Sequence, residues 1–255
     1  MGIEKSVLYE VKDRIGYITL NRPERNNGLG RLLCGELHQT WLDFEADPDA
    51  VVALITGAGK SFCAGADLSD TAKPGEVDEP YFLDRAMPNL GVQVSKPIVA
   101  AINGWAIGAG LALCSNCDIR VASEKARFSF PEVKVGICAG GIELIHSMQS
   151  TTVVEMMLTG EAIDAQRALQ AGFLNRVVAP EDLIAEAEKY CNLLKRNAPL
   201  TMKMIKAYIL EERMTLLQKY HMMHAVYIRP QEKSEDFQEG RAAAKEKRAP
   251  QFKGR

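Results

Sequence analysis

The apolar and polar positions divide the chain into a strand-rich first half and a helix-rich second half. Leu8–Val11 and Ile15–Leu20 are short β-branched and apolar runs separated by Lys12-Asp13-Arg14, which predicts a strand–turn–strand unit. After the turn-rich NRPERNNGLG, the residues Leu33, Leu37, Trp41 and Phe44 recur at three-to-four spacing and predict a helix over Leu32–Phe44. Val51–Thr56 is an apolar run of strand length ending in Gly57-Ala58-Gly59. The polar stretch Thr71–Pro80, broken by Pro74 and Gly75, predicts a surface loop suited to substrate access. Pro80–Val94, with Tyr81, Phe82, Leu83, Met87 and Leu90, fits either a pocket wall or an amphipathic helix on the core. Ile98–Ile102 reads as the next strand, followed by a glycine-rich bend and a short helix, then by strands at Ile119–Val121 and Phe128–Phe130. Strands alternating with helices define an α/β protein.

From about Ile142 helical patterns take over, at Asp164–Ala171, Pro180–Arg196, Pro199–Glu212 and Met214–Tyr227, with Asp164 and Pro180-Glu181-Asp182 as helix openers. A run of helices after a strand-rich core suggests a helical appendage, with the chain divided into residues 1–195 and 196–255. Met202, Met204, Met214, Met222 and Met223 in the last helices read as core or subunit-packing residues.

Composition narrows the partners. The chain has 255 residues with 31 Lys and Arg against 33 Asp and Glu, a net charge of −2, which argues against a nucleic-acid binder. Its basic cluster, Lys245, Lys247, Arg248, Lys253 and Arg255, reads as a solvated terminus. A hydrophobic share of 47% with 25% charged residues is that of an ordinary globular protein. The apolar stretch Ile98–Cys114 is interrupted by Asn103 and three glycines and falls short of a membrane span. The opening MGIEKSVLYE has charges where a signal peptide is apolar, so a cytoplasmic or organelle-matrix protein is expected. The six cysteines then read as reduced thiols. Cys114 and Cys117 form a CxxC without a second ligand pair, and the four histidines are scattered, so no metal is expected.

Two glycine-rich turns, SFCAGADL at 61–68 and NGWAIGAGLAL at 103–113, each follow a buried-looking strand. Small residues let a ligand approach the main chain. A helix starting near Ala109 would aim free N–H donors at an anion or polarised oxygen, and two such donors on one oxygen make an oxyanion hole. Nucleotide motifs fail on spacing: Leu54 stands where a P-loop needs glycine, and Gly108 and Gly110 are followed by Leu113 where the dinucleotide pattern needs another. A purely structural role for the glycines, in tight strand-to-helix turns, stays open.

The segments NRPERNNGLG, ITGAGKSFCAGADLSD, AAINGWAIGAGLALCSNCDIRVASEKARFSFPEVKVG and LTGEAIDAQRALQAGFLNRVV resemble the enoyl-CoA hydratase/isomerase (crotonase) superfamily, and the ending EDFQEGRAAAKEKRAPQFKGR is similar to the family's usual finish. The resemblance implies an α/β fold, a crotonase-like spiral of ββα repeats, with the C-terminal helices of 196–255 building a homotrimer or a dimer of trimers and closing the pocket. It implies an acyl-CoA thioester substrate, with coenzyme A entering as part of it, and neither a metal nor a redox cofactor. Ala66 and Ala109 match the family's two oxyanion donors. Arg25, Asn26, Gly28, Ala64, Asp67 and Leu68 match segments lining coenzyme A, and Pro131, Ala139 and Gly140 belong with the substrate wall. A basic Arg25 beside a phosphate is physically sensible, although Arg25 and Asn26 also suit a solvated turn.

Departures from the family pattern bear on the reaction. Hydratases of the family carry one Glu three residues after the second oxyanion donor and another in a Pro-Glu pair twenty residues later; here the first is Ala112 and the second is Glu132. Two carboxylates share the work of hydration, whereas one suffices to move a proton from C2 to C4. Double-bond isomerisation with Glu132 as the single acid/base is therefore the expected chemistry. Hydration with an unusual second group, hydrolysis and decarboxylation stay open, as does a non-catalytic acyl-CoA-binding protein. The segment VGICAGGIELIHSMQS replaces the family's glycine-rich stretch and is about three residues shorter; in it Glu143 and His146 are candidates for a replacement acid or base, or for a surface contact.

Overall fold

Asp13 and Arg14 both take positive φ, 48° and 62°, and so make the two-residue turn whose twist suits a hairpin. They join β1 (Val7–Lys12) to β2 (Ile15–Leu20), paired antiparallel from Val7↔Leu20 to Lys12↔Ile15. This computed structural model describes residues 5–70, 82–138, 141–223 and 233–255, excepting the side chains of Leu68, Ile142, Glu143 and 213–223. The chain continues through α1 (Arg31–Ala46), β3 (Val52–Gly57), β4 (Ser61–Cys63), α2 (Phe82–Ala86), β5 (Ile98–Ile102), β6 (Trp105–Ile107), α3 (Ala109–Ser115), β7 (Ile119–Ser123) and β8 (Arg127–Ser129). After these come α4 (Ser150–Thr159), β9 (Ile163–Asp164), α5 (Ala165–Gln170), β10 (Arg176–Val178), α6 (Leu183–Leu194), α7 (Pro199–Met223) and α8 (Glu235–Glu246).

Two sheets result, one ordered β1-β2-β3-β5-β7-β10 and a smaller one ordered β4-β6-β8-β9. In sequence, β3 leads to β4, β5 to β6 and β7 to β8, so each turn of a spiral lays one strand in each sheet. The central strands of the large sheet are covered on both faces, which is why their sequences are continuously apolar rather than alternating. Ile18, Ile55, Ala100 and Ile102 face Trp41, Phe44, Phe62 and Phe128 in the main core. Ile15, Val52, Leu54, Val99 and Val121 face Leu183, Ala187 and Cys191 of α6.

The pattern-based expectation omitted β4 and β6, which at three residues each are too short to show a period. It also omitted α4, β9, β10 and α8. Within Pro80–Val94 only Phe82–Ala86 is helical, and the segment packs on the core: Ala86, Met87, Val92 and Val94 are buried, and Trp41 Nε1 donates to the Ala86 carbonyl at 3.0 Å. Tyr81 and the expected loop Thr71–Pro80 lie outside the described residues. Pro199–Glu212 and Met214–Tyr227 are not two helices, since α7 runs unbroken to Met223; residues 224–227 lie outside the described residues.

The basic tail is solvated as expected, with Lys245, Lys247, Arg248, Lys253 and Arg255 all exposed, and it is also tied down. Lys245 sits in the last turn of α8, and the following residues fold back along that helix. Glu239 accepts the Arg248 guanidinium and the Gln251 N–H, while the Asp236 carboxylate accepts the N–H groups of Lys253 and Gly254.

At the other end of the core, α7 is held by buried charge. Lys206 Nζ donates to Asp118 Oδ2 and to the Lys96 carbonyl, both at 2.8 Å. Lys203 lies 3.5 Å from Glu45, whose carboxylate also accepts the N–H of Ser95 at 2.9 Å. Lys96 Nζ donates to Phe44 and Asp47 carbonyls at 2.7 and 2.6 Å, neutralising the C-terminal end of α1. Leu200, Met204, Ile205, Tyr208 and Ile209 on α7 are exposed. Among the described residues no helix is long and apolar enough to cross a membrane.

Candidate active site

Three strands of the small sheet run parallel, with Ser61 in register with Trp105 and Trp105 with Arg127. Their carboxyl ends therefore open on the same side, where ligands of parallel sheets bind. Just beyond those ends lie Ala66 after β4, Ala109 after β6 and Glu132 after β8. The sheet thus collects residues that are far apart in sequence.

Ala66 is fixed by a parallel bridge to Leu29: the Leu29 N–H donates to Gly65 at 2.7 Å and the Leu29 carbonyl accepts the Asp67 N–H at 3.2 Å. In that pattern the bonds to Leu29 use the residues flanking Ala66, so the Ala66 N–H turns away from Leu29. A Cβ placed on Gly65 would lie 3.4 Å from Ala109 N, which puts the two turns side by side. Ala109 is the first residue of α3, and its N–H is among those a helix leaves unbonded. Among the described residues neither N–H donates to a protein acceptor.

Glu132 stands on the single 3₁₀ turn Pro131–Val135, where Pro131 at the first position suits a missing donor. Its carboxyl is largely enclosed, and Oε2 is buried without a hydrogen-bond partner. Burial raises its pKa from 4.5 to about 7, against a smaller opposing contribution from its own backbone N–H. The carboxyl leans over Gly108, where any Cβ would run into Oε1. Gly108 also has φ 50° and ψ −117°, a conformation open only to glycine, while its N–H donates to Ser129 at 2.9 Å. Three residues after Ala109, the half-buried Ala112 offers a methyl group and nothing that titrates.

α8 packs directly behind Glu132. A Cβ on Gly240 would collide with the Val135 carbonyl, and one on Gly136 would lie 2.6 Å from the Asp236 carbonyl. The 3₁₀ turn and the last helix are in backbone contact.

The structure brings Arg25, Asn26, Gly28, Ala64 and Asp67 together beside the Ala66 turn. Arg25 is exposed and donates to Ser69 Oγ at 2.7 Å, with Asp67 Oδ2 3.5 Å away. The Asn26 carbonyl accepts the Ala64 N–H at 3.0 Å, and a Cβ on Gly28 would lie 3.4 Å from Asp67 Cβ. The Ser69 hydroxyl first, helped by Arg25 and Arg22, holds the Asp67 carboxyl below the usual carboxylate range. The backbone of Leu68 opens a 3₁₀ turn, Leu68–Asp70. Ala139 and Gly140, and the side chains of Leu68 and Glu143, lie outside what is described. His146 is exposed at the end of the 3₁₀ turn Ile142–His146, and among the described residues it forms no hydrogen bond or ion pair that would tie it to Glu132.

Motif reading missed Asn27, the polar knot under this site. Fully buried, it donates from Nδ2 to the carbonyls of Ala58 and Ser61 at 2.9 and 2.8 Å and accepts the Arg22 N–H at 2.9 Å. Its sequence signal was present in Asn-Asn-Gly, a turn composition compatible with its φ of 56°. Among the described residues no group of three His, Cys, Asp or Glu is placed to hold a metal ion.

Two adjacent turns with unbonded N–H groups and a largely enclosed carboxyl thus lie together at the ends of the small sheet, an arrangement chemically suited to holding a negative oxygen and moving a proton. The sequence pattern of the enoyl-CoA hydratase/isomerase family matches residues 10–255, and the chain belongs to that family, within the crotonase superfamily. It is 38% identical to (E)-benzylidenesuccinyl-CoA hydratase of Thauera aromatica, over 97% of this chain and 99% of that protein. It is 36% identical to 2,3-dehydroadipyl-CoA hydratase of Escherichia coli (strain K12), over 96% and 97%. Among solved structures, an enoyl-CoA hydratase/isomerase from Pseudoalteromonas atlantica T6c superposes with a TM-score of 0.88 at 32% identity, covering 98% of this chain and 100% of that one.

Proposed function

We propose that the protein moves a proton on an enoyl thioester of coenzyme A, with Glu132 as the single acid and base and double-bond isomerisation as the reaction. The observation that carries this reading is the largely enclosed Glu132 carboxyl, with Oε2 buried and unpartnered and its pKa raised to about 7, in a site where position 112 is Ala. The carboxylate takes a proton from C2 of a 3-enoyl thioester, and the C–H electron pair moves into a dienolate. The Ala66 and Ala109 N–H groups hold the negative oxygen. Glu132 then delivers its proton, or a deuteron after exchange with solvent, to C4, leaving a 2-enoyl thioester and a carboxylate ready for the next turn. No atom is gained and no oxidation state changes, so the step calls for no redox partner.

Hydration is the second reading, favoured by relatives bearing the name hydratase. Glu132 would then take a proton from water as the oxygen bonds C3 and pass that proton to C2. In either reading Arg25, Asn26, Gly28, Ala64 and Asp67 border coenzyme A, with Arg25 available to a phosphate. The exposed apolar residues of α7 suit packing in a trimer or a dimer of trimers. Six thiols, five of them buried, suit the reducing cytoplasm.

The test is α-proton exchange in deuterated water with saturated, 2-enoyl and 3-enoyl-CoA thioesters, with products weighed by mass. A shifted double bond with no mass gain beyond exchanged deuterium, abolished by Glu132→Gln, establishes isomerisation. Addition of one water across the double bond, read as a mass gain beyond exchanged deuterium, replaces it with hydration. Binding without exchange or product leaves a binding protein.

A further inference from the structure

α1 is a sixteen-residue helix whose N-cap, Gly30, supplies no side-chain oxygen. The cap comes instead from forty residues downstream: Asp70 Oδ2 accepts the Arg31 N–H at 2.7 Å. Gly30 is what admits it, because a Cβ there would run into the Asp70 carboxylate. Asp70 closes the 3₁₀ turn Leu68–Asp70, and its own N–H donates to the Asp67 carbonyl at 2.9 Å. The turn bearing Ala66 is therefore clamped twice to one stretch of chain. Leu29 brackets Ala66 through Gly65 and Asp67, and Asp70 grips the helix that begins two residues after Leu29.

Two adjacent peptide groups fixed at both ends have little freedom to rotate, and a backbone donor stabilises a developing charge only if its direction is set beforehand. We infer that Asp70 is a positioning residue for the Ala66 N–H, holding the oxyanion turn in register with α3 by capping α1 from outside. The inference rests on the proposal that Ala66 receives the thioester oxygen. A helix needs only some cap, and Ser, Thr or Asn at position 30 would supply one locally. Recruiting the cap from the catalytic turn ties the position of that turn to the first turn of the helix.

Asp164 provides a matched control, since its carboxylate caps α5 by accepting the Arg167 N–H at 2.8 Å, a local cap on a different helix. The experiment compares Asp70→Ala, Asp70→Asn and Asp164→Ala by amide hydrogen exchange at Leu29 and Asp67. It also compares the absorbance of bound 3-phenyl-2-propenoyl-CoA, which shifts to the red when its carbonyl is polarised, and kcat and KM on the substrate the panel above identifies. Asp70→Ala is expected to speed exchange at both amides by about fivefold to tenfold, the scale of a lost cap. It should also reduce the red shift and lower kcat by roughly 10–100-fold with little change in KM. Asp70→Asn, which keeps an acceptor oxygen, recovers most of each, and Asp164→Ala leaves all three unchanged while lowering the melting temperature. Unchanged exchange and colour in Asp70→Ala, or equal changes in Asp164→Ala, overturn the inference. A wild-type protein that binds the probe without shifting it, while Asp70→Ala still quickens exchange, marks a failure of the oxyanion assignment instead.

Discussion

The two ends of the core treat buried charge in opposite ways. Under α7, Lys206, Asp118, Lys96 and Glu45 each have partners in hydrogen-bond or ion-pair contact. Burial opposes the ionisation of Glu45, yet Ser95, Lys203 and Lys96 outweigh it and hold its pKa below the usual value. At the carboxyl ends of β4, β6 and β8, Glu132 is buried as well, but one of its oxygens has no partner and its pKa rises to about 7. The first arrangement fixes a helix, while the second keeps a carboxyl at the edge of ionisation. Satisfaction separates structural charge from reactive charge here more sharply than burial does.

Substitution at each end should separate the two roles. Glu132→Gln is expected to cost at least about 10²-fold in α-proton exchange, since it removes the proposed acid/base. In the wild type the exchange rate should rise with pH through about 7 as that carboxyl ionises. Lys206→Met should do the converse, destabilising the fold by about 3 kcal/mol in urea melts because Asp118 is left without its cation. Its kcat per folded molecule should stay unchanged.

Glu132→Gln also makes a prediction about stability. Below about pH 4.5 the wild-type carboxyl is protonated in both folded and unfolded states and has no effect. Between pH 4.5 and about 7 the unfolded chain releases its proton while the folded state retains it, so stability is progressively lost. The Gln variant escapes that loss and should be about 3 kcal/mol more stable than wild type above pH 7, with little advantage at pH 4.5. Equal stability at both pH values would remove the claim that Glu132 is held neutral by burial.

Smaller effects probe the support behind the site. Gly240→Ala pushes α8 off the Val135 carbonyl and should lower kcat about tenfold, with binding of coenzyme A thioesters little changed. Arg248→Ala removes exposed ion pairs to Glu239 and Glu246 and should give the smallest change, within the scatter of thermal melts.

The contrast between the two ends also marks what was legible in the sequence. Val52–Gly57 and Ile98–Ile102 announce themselves because strands buried on both faces must be apolar throughout. The turns bearing Ala66 and Ala109 were visible through their small residues, and Glu132 through its Pro-Glu pair. The three-residue strands that align these turns were not, because β4 and β6 owe their existence to pairing across the sheet and carry no period of their own. The lysines that anchor α7 were equally hidden. Lys96, Lys203 and Lys206 look like ordinary surface residues until the partners Asp118 and Glu45, distant in sequence, are placed beside them. The tail is solvated as its charges suggest, but the ion pairs of Arg248 with Glu239 and of Lys253 with Glu235, which fold it back on the last helix, do not show in a count of like charges.

Gly108 carries a consequence for how the site tolerates change. At Ala66 and Ala109 the donor proposed to act belongs to the main chain, so small replacements retain it. At Gly108 every replacement brings a Cβ into the Glu132 carboxyl and a side chain into a backbone region closed to it. A saturation library scored for activity should therefore be least permissive at a residue that has no side chain to contribute, and more forgiving at its neighbour Ala109. The site's sharpest genetic signature is an empty volume.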